Sequence, residues 1–439
     1  MQLLPRRALL RLPALQDRPF YHRLFTPLVT LWYLIFQRLN GDPSLDAALT
    51  DARNGGADRL NKKLSRQLRS ESTAAYSDAR QRLPWPFLLE ALAVQARLLL
   101  GLSPKTRWHG RVLALLDGST VRLRPWGDIR QEFPPNTNQY GRPYWCLMRV
   151  TVCFCALSGA ALDCALGSLR LSEQAMASQL ILRSLAGCLF LGDRNFGVFR
   201  VAQVARHAQR EVLLRMTTRR ARKLLGRDLS AGAHPVRWKH TRQDQLQPGC
   251  SPEPLEGRLL VTWLACRGRR RGQWLCLFTT LPNRPEFSLP ELVSLYAQRW
   301  HIELNLRYLK AQMNLVQLSA KSADMARKEW LSGLLGYNLI RGAQLCAALL
   351  QELPPLSLSF SAVRRRLENW LSQLAKSRKL SLGPWTRVLQ QMARCRLPRR
   401  DKPRPSEPRA QRHLRLAYAP LYGSRAAARK RLRKYESKS

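Results

Sequence analysis

Four residues of this chain have types and spacing suited to phosphate chemistry: Tyr296, Arg299, Glu303 and Lys310. The surrounding residues 296–310 lack Gly and Pro and are rich in Leu, Arg, Gln, Lys and Ala, so the spacing predicts a helix. At about 100° per residue the four share a stripe roughly 60° wide and about 21 Å long. A carboxylate between cations suits a group that holds a metal ion while its neighbours hold phosphates. A second reading stays open, in which Glu303 merely pairs with Arg299 and Arg307 one helical turn away.

If Glu303 holds a metal ion, further carboxylates must converge on it. Two acids directly follow apolar runs: Asp117 after 112–116, and Asp193 after 188–192. Each has a structural alternative. Asp117-Gly118 suits a hairpin turn, and Asp193 suits the cap of a helix starting near Phe196. Asp163, inside a strand-like run, competes for the same role. Phosphodiester cleavage must stabilise an attacking and a leaving oxygen together, and two Mg²⁺ ions about 3.5–4 Å apart do so. Hard cations prefer carboxylate oxygens, so three acids suffice and no His or Ser nucleophile is needed. His301 faces away from Glu303 and reads as a surface or DNA contact.

The elements that would position these acids follow from hydrophobic periodicity. Residues 1–108 read as helices, with Ser44 capping a helix toward Ala52 and a basic patch at Lys62, Lys63, Arg66 and Arg69. Strands are predicted at 112–116, 147–157, 161–169, 188–191 and 212–216, with helices at 172–186 and 196–208. Asp117-Gly118-Ser119-Thr120 reads as a turn. Segment 219–285 shows no helical period and three strand-like runs, at 236–239, 259–265 and 274–281, so it is expected to be a β-rich insertion. Helices return after Lys321 through 350 and again over 360–376. Beyond about 396 the chain is basic and Pro-containing, with the composition of a tail that orders on DNA. The units so drawn are 1–108, 109–218, 219–285, 286–350 and 351–439.

Composition narrows the partner. The 439 residues include 74 Lys and Arg against 29 Asp and Glu, a net charge of +45. Self-repulsion on that scale calls for a polyanion, and nucleic acid supplies affinity through counterion release. An apolar content of 45% supports real cores. The ten cysteines form no Cys-x-x-Cys pair; Cys153 and Cys155 alternate in an apolar run as buried strand thiols, which fits a reducing cytoplasm. The apolar stretch 24–36 contains Pro27 and is too short to span a bilayer, and it lies too deep for a secretory signal. A cytoplasmic location with no membrane partner is expected.

The spacing Tyr-(2)-Arg-(3)-Glu-(6)-Lys resembles the signature of a large group of bacterial insertion-sequence transposases of the DDE type. Asp117-Gly118-Ser119-Thr120 resembles their first motif, commonly Asp-Gly-Thr, with Ser119 inserted. Asp193-Arg194-Asn195-Phe196 resembles their second, commonly Asp-Arg-Gly-Phe, with Asn195 as the departure. Ala79-Arg80-Gln81-Arg82-Leu83 is similar to a stretch in their N-terminal DNA-binding region. The resemblance covers roughly 110–315. It implies an α/β fold with a ribonuclease-H-like catalytic core, a β insertion before the signature helix, and helical flanks, the N-terminal one binding DNA ends. It implies Asp117, Asp193 and Glu303 as catalytic ligands of two Mg²⁺ ions, for which Mn²⁺ can substitute. Tyr296, Arg299, Lys310 and Arg194 would contact DNA, and Trp300 stands where an aromatic helps to hold distorted DNA in members that form a hairpin. A core-facing Trp300 is the structural alternative. Trp263 and Trp274 have two readings, stacking on a flipped base or core.

The activity implied is cut-and-paste transposition. It would act on terminal inverted repeats and target DNA, with a homodimer pairing two ends in the bacterial nucleoid. Two rivals remain at this point: a structure-specific nuclease or resolvase of the same fold, and a non-catalytic DNA-binding repressor.

Overall fold

The computed structural model describes the chain except residues 1–2, 17–22, 103–105, 136–142, 247–250, 266–271, 377–381, 399–423 and 437–439. The N-terminal part is helical. Its main elements are α1 (Pro27–Leu39), α2 (Leu45–Arg53), α3 (Ala74–Arg82) and α4 (Trp85–Gly101). The apolar stretch at 24–36 supplies most of α1, and the Thr26 hydroxyl caps it through the Val29 amide. Ser44 caps α2 as expected. The basic patch forms only a four-residue turn, Leu64–Gln67. Among the described residues no single helix is long and apolar enough to cross a membrane.

Eight strands build one sheet: β1 (Val112–Leu123), β2 (Cys146–Cys155), β3 (Ala161–Ser168), β4 (Cys188–Gly192), β5 (Glu211–Met216), β6 (Gly232–Trp238), β7 (Leu255–Leu264) and β8 (Gln273–Thr279). Their order across the sheet is β3-β2-β1-β4-β5-β8-β7-β6. The first three strands form an antiparallel meander, and β4 and β5 add in parallel to β1. Helix α5 (Glu173–Arg183) connects β3 to β4, and α6 (Phe199–His207) connects β4 to β5. Alternation along β1 sends Leu113 and Leu115 to one face, and Val112, Ala114 and Leu116 to the other. Helices α5 and α6 cover the second face. The first face meets the N-terminal helices and the long α10 (Ala323–Leu350), reached through α8 (Leu289–Ala297) and α9 (His301–Arg307). Helices α11 (Phe360–Lys376) and α12 (Leu382–Ala393) pack on α10.

Three expectations are corrected. The predicted turn at 117–120 is strand, because β1 continues to Leu123 in unbroken register with β2. Val121 and Leu123 are buried while Thr120 and Arg122 are exposed, so the alternation simply resumes. Segment 219–285 is not free of helix: α7 (Thr218–Leu225) is capped by Thr217 and ends at Gly226 with φ +69°. Its three strands are present, but they extend the main sheet, with β8 pairing antiparallel to β5. The tail expected to order on DNA lies mostly outside the described residues; Arg425–Glu436 within it is helical. Cys153 and Cys155 are buried strand thiols in β2, as read.

Candidate active site

The site forms where β1 outruns β4. The two strands pair in parallel from Val112↔Cys188 to Leu115↔Leu191. Asp117, two residues further along β1, and Asp193, the residue that follows β4, stand at the same level. Asp117 sits inside β1, opposite Val152 of β2. On its other side β4 has ended at Gly192, which leaves an open notch. Alternation places Asp117 on the face of Leu113 and Leu115, the face that receives the signature segment.

Backbone amides fix both carboxylates. Asp117 Oδ1 accepts from the Gly118 amide at 2.8 Å, and Asp193 Oδ1 accepts from the Asn195 amide at 2.8 Å. The Asp193 carbonyl accepts from the Phe196 and Gly197 amides at 3.1 Å each. Asp193 therefore closes a tight turn rather than capping α6, whose N-cap is Val198. Gly197 is obligatory in this turn, since a Cβ there would lie 2.1 Å from the Arg215 carbonyl oxygen. Burial raises the Asp117 carboxyl to about 6, and the Asp193 and Glu173 carboxylates push the same way against the Gly118 amide and Arg299. Asp163, the competing acid, is ion-paired with Arg183 at 3.0 Å in β3.

The signature residues lie on one continuous rod, but not on a uniform helix. It passes from α8 through a 3₁₀ turn (Gln298–Trp300) into α9, then through a π turn (Tyr308–Gln312). The expected single stripe is thereby twisted, because each turn type advances by a different angle per residue. Tyr296 is buried, and its hydroxyl donates to the Gly192 carbonyl at 3.3 Å, docking the rod on the end of β4. Burial pushes this phenol up to about 12. Arg299 Nη2 donates to Glu303 Oε1 at 3.2 Å, and their side chains are 17% and 41% exposed. On the inner side Asn305, only 1% exposed, accepts from Arg341 of α10 at 2.7 Å.

Asp117 and Asp193 are thus brought together, with Arg299 in electrostatic contact with Asp117 and Tyr296 beside Asp193. Glu303 sits one turn beyond Arg299 and is paired to it. Among the described residues no set of three His, Cys, Asp or Glu side chains is arranged to hold a metal ion. Arg194 is exposed next to Asp193, and Lys310 is half-buried on the π turn. Trp300 is 59% exposed, which removes its core-facing reading. Trp263 is exposed and packs edge-on against Trp274, its cross-strand partner in β8.

His301 is corrected: it turns inward, and its Nδ1 is buried with no hydrogen-bond partner among the described residues. Burial and the nearby Arg341 hold its pKa below the usual range. Glu173 carries no signal in the sequence, yet its carboxylate neighbours Asp117 and accepts from Asn195 Nδ2 at 2.5 Å. Following Ser172, it reads as an ordinary first-turn acid of α5, and only the tertiary structure brings it to the notch.

Residues 108–339 match the family described as the transposase DDE domain. The chain is 29% identical over 297 residues to the transposase InsG for insertion sequence element IS4 of Escherichia coli (strain K12). That match covers 66% of this chain and 65% of the relative. The chain also resembles the piggyBac transposase in its synaptic complex with hairpin DNA. That likeness has 10% identity and a TM-score of 0.40, covering 90% of this chain and 81% of that one. The family match spans more than half of the sequence, and the chain belongs to the family of transposases with a DDE domain.

Proposed function

We propose that the chain is a DNA transposase that cuts at the ends of an insertion sequence and joins them to target DNA by a cut-and-paste route. The observation that carries this reading is the placement of Asp117 and Asp193 side by side at the notch between β1 and β4. The strand order β3-β2-β1-β4-β5, with α5 and α6 as connections, supports a ribonuclease-H-like core. The +45 charge supports a DNA partner.

The donor set fits a divalent cation. Two carboxylates share the notch, and the raised Asp117 carboxyl reflects burial and like charges that a cation would relieve. Asp117, Asp193 and Glu303 would hold two Mg²⁺ ions, which supply an activated water or 3′-hydroxyl and stabilise the leaving oxygen. Recruiting Glu303 requires its carboxylate to leave Arg299. That is a small cost, since a partly exposed pair one helical turn apart contributes only about 0.3–0.5 kcal/mol. Arg299, once released, would grip a phosphate beside the scissile bond, with Lys310 further along the rod and exposed Arg194 next to Asp193. Exposed Trp300 offers a stacking surface for a displaced base. Tyr296 serves the site by docking the rod on β4 rather than by touching DNA. One carboxylate centre per chain and two ends per element support a homodimer as the working unit.

The test is excision in cells of a marker flanked by the element's own ends. Wild type is expected to excise it and Asp193→Asn is not. Equal excision by both would remove Asp193 from the chemistry.

A further inference from the structure

Glu173 approaches the notch from the opposite side of the sheet. It opens α5, on the face away from the signature rod, where Ser172 provides the cap through the Ala175 amide. Its carboxylate rests over Gly118, where a Cβ would lie 2.4 Å from the Glu173 Cδ. Only glycine leaves room for it there. The same carboxylate accepts from Asn195 Nδ2 at 2.5 Å. Gln174 Nε2 closes the cluster by donating to the Asn195 carbonyl at 3.0 Å and to its Oδ1 at 2.7 Å. The amide of this clamped Asn195 is the group that donates to Asp193.

We propose that Glu173 is a positioning residue of the carboxylate centre: by holding the Asn195 side chain from α5, it fixes the turn that orients Asp193 against Asp117. This rests on the reading of Asp117 and Asp193 as ligands of a divalent ion. The three parts come from separate elements: the Gly118 gap in β1, the acid at the start of α5 and the amide in the turn after β4. Without Glu173 the Asn195 Nδ2 loses its acceptor, α5 holds the turn through Gln174 alone, and Asp193 samples other orientations. A ligand that must be reoriented binds metal more weakly, and loss of such an outer partner costs roughly 10–100-fold in affinity.

The test is Mn²⁺ binding to the purified full-length chain without DNA, followed by the loss of the free-ion paramagnetic signal, with thermal melts to confirm folding. Wild type is expected to bind, and Asp193→Asn to lose that binding. Glu173→Ala is expected to weaken it roughly 10–100-fold, whereas Glu173→Gln, which keeps the acceptor oxygen, stays within about threefold of wild type. Gly118→Ala probes the same clamp by a second route, because its methyl displaces only the flexible end of Glu173; it should weaken binding likewise. Wild-type affinity in both Glu173→Ala and Gly118→Ala, with Asp193→Asn defective, would overturn the positioning role and leave the carboxylate reading intact. Equal losses in Glu173→Gln and Glu173→Ala would also overturn it, since the charge and not the clamp would then matter. Undiminished binding in Asp193→Asn, or none in wild type, would remove the underlying reading and this inference with it.

Discussion

The two sides of the notch are built by different means. On the sheet side, Asp117 is set by the register of β1 with β2 and Asp193 by the tight turn that follows β4, each carboxylate held by a backbone amide. On the helical side, Glu303 is exposed and tied to an arginine on its own helix, on a rod that changes winding before and after it. The difference shows two fixed acids facing an adjustable one. Strand register is costly to shift because one slip exchanges the faces of a whole strand. A surface side chain on a helix changes rotamer for well under the energy of one hydrogen bond.

The largest expected effect is on the fixed side. Asp117→Asn and Asp193→Asn should each reduce cleavage at element ends by roughly a thousandfold or more, about 4 kcal/mol of transition-state stabilisation. Glu303→Gln should cost more than about tenfold in the same gel assay. A loss below tenfold would make the adjustable acid dispensable and break the comparison.

Asp117 should also carry a stability cost that arises from its burial. The Asp117 carboxyl is raised to about 6 from an ordinary value of 3.8. The folded chain therefore binds more protons than the unfolded chain between those values. Stability from this group is present at low pH and is lost as pH rises through about 6. Asp117→Asn removes that burden, so at pH 7 without divalent ions it should stabilise the fold by roughly 1–3 kcal/mol while abolishing activity. Chemical denaturation at pH 7 checks this, and the gain should shrink toward pH 4. No gain at pH 7 would mean that burial and like charge do not burden Asp117.

Two smaller effects sharpen the helical side. Trp300→Ala should change stability by no more than about 0.5 kcal/mol, yet weaken binding of distorted end DNA by about 1–3 kcal/mol in a fluorescence titration. Tyr296→Phe should do the reverse, costing about 0.5–1.5 kcal/mol of stability through the lost bond to Gly192. DNA affinity should be unchanged. A Tyr296→Phe variant that binds DNA poorly but melts normally would return Tyr296 to the phosphate contacts.

Asp117 and Asp193 were legible because each follows an apolar run in a chain with few acids, and Glu303 because of its spacing from Tyr296, Arg299 and Lys310. The sequence also located β2 to β5, α5 and α6 and the three strands of 219–285, whose periods are local. What it could not carry was pairing. Asp117-Gly118-Ser119-Thr120 has turn chemistry, and only a ten-residue partner in β2 keeps it extended. Strands β6 to β8 were visible as strands, but their membership in the main sheet depends on the β5–β8 pairing, some sixty residues apart. The 3₁₀ and π turns of the signature rod have no composition signal, since i+3, i+4 and i+5 winding tolerate the same residues. His301, expected as a surface or DNA contact, turns inward on this rod, and Tyr296 is buried beside β4. Glu173 was hidden because a first-turn acid after a serine cap needs no further explanation.

The most direct measurement is cleavage of a labelled duplex carrying one element end, by purified chain with Mg²⁺, wild type beside Asp193→Asn. Wild type should nick or cut at the end and, given target DNA, yield joined products, while the variant binds the same duplex without cutting it. Cutting by the variant at the wild-type rate, or wild-type cutting that ignores the end sequence and never joins strands, would contradict transposition through the β1–β4 notch.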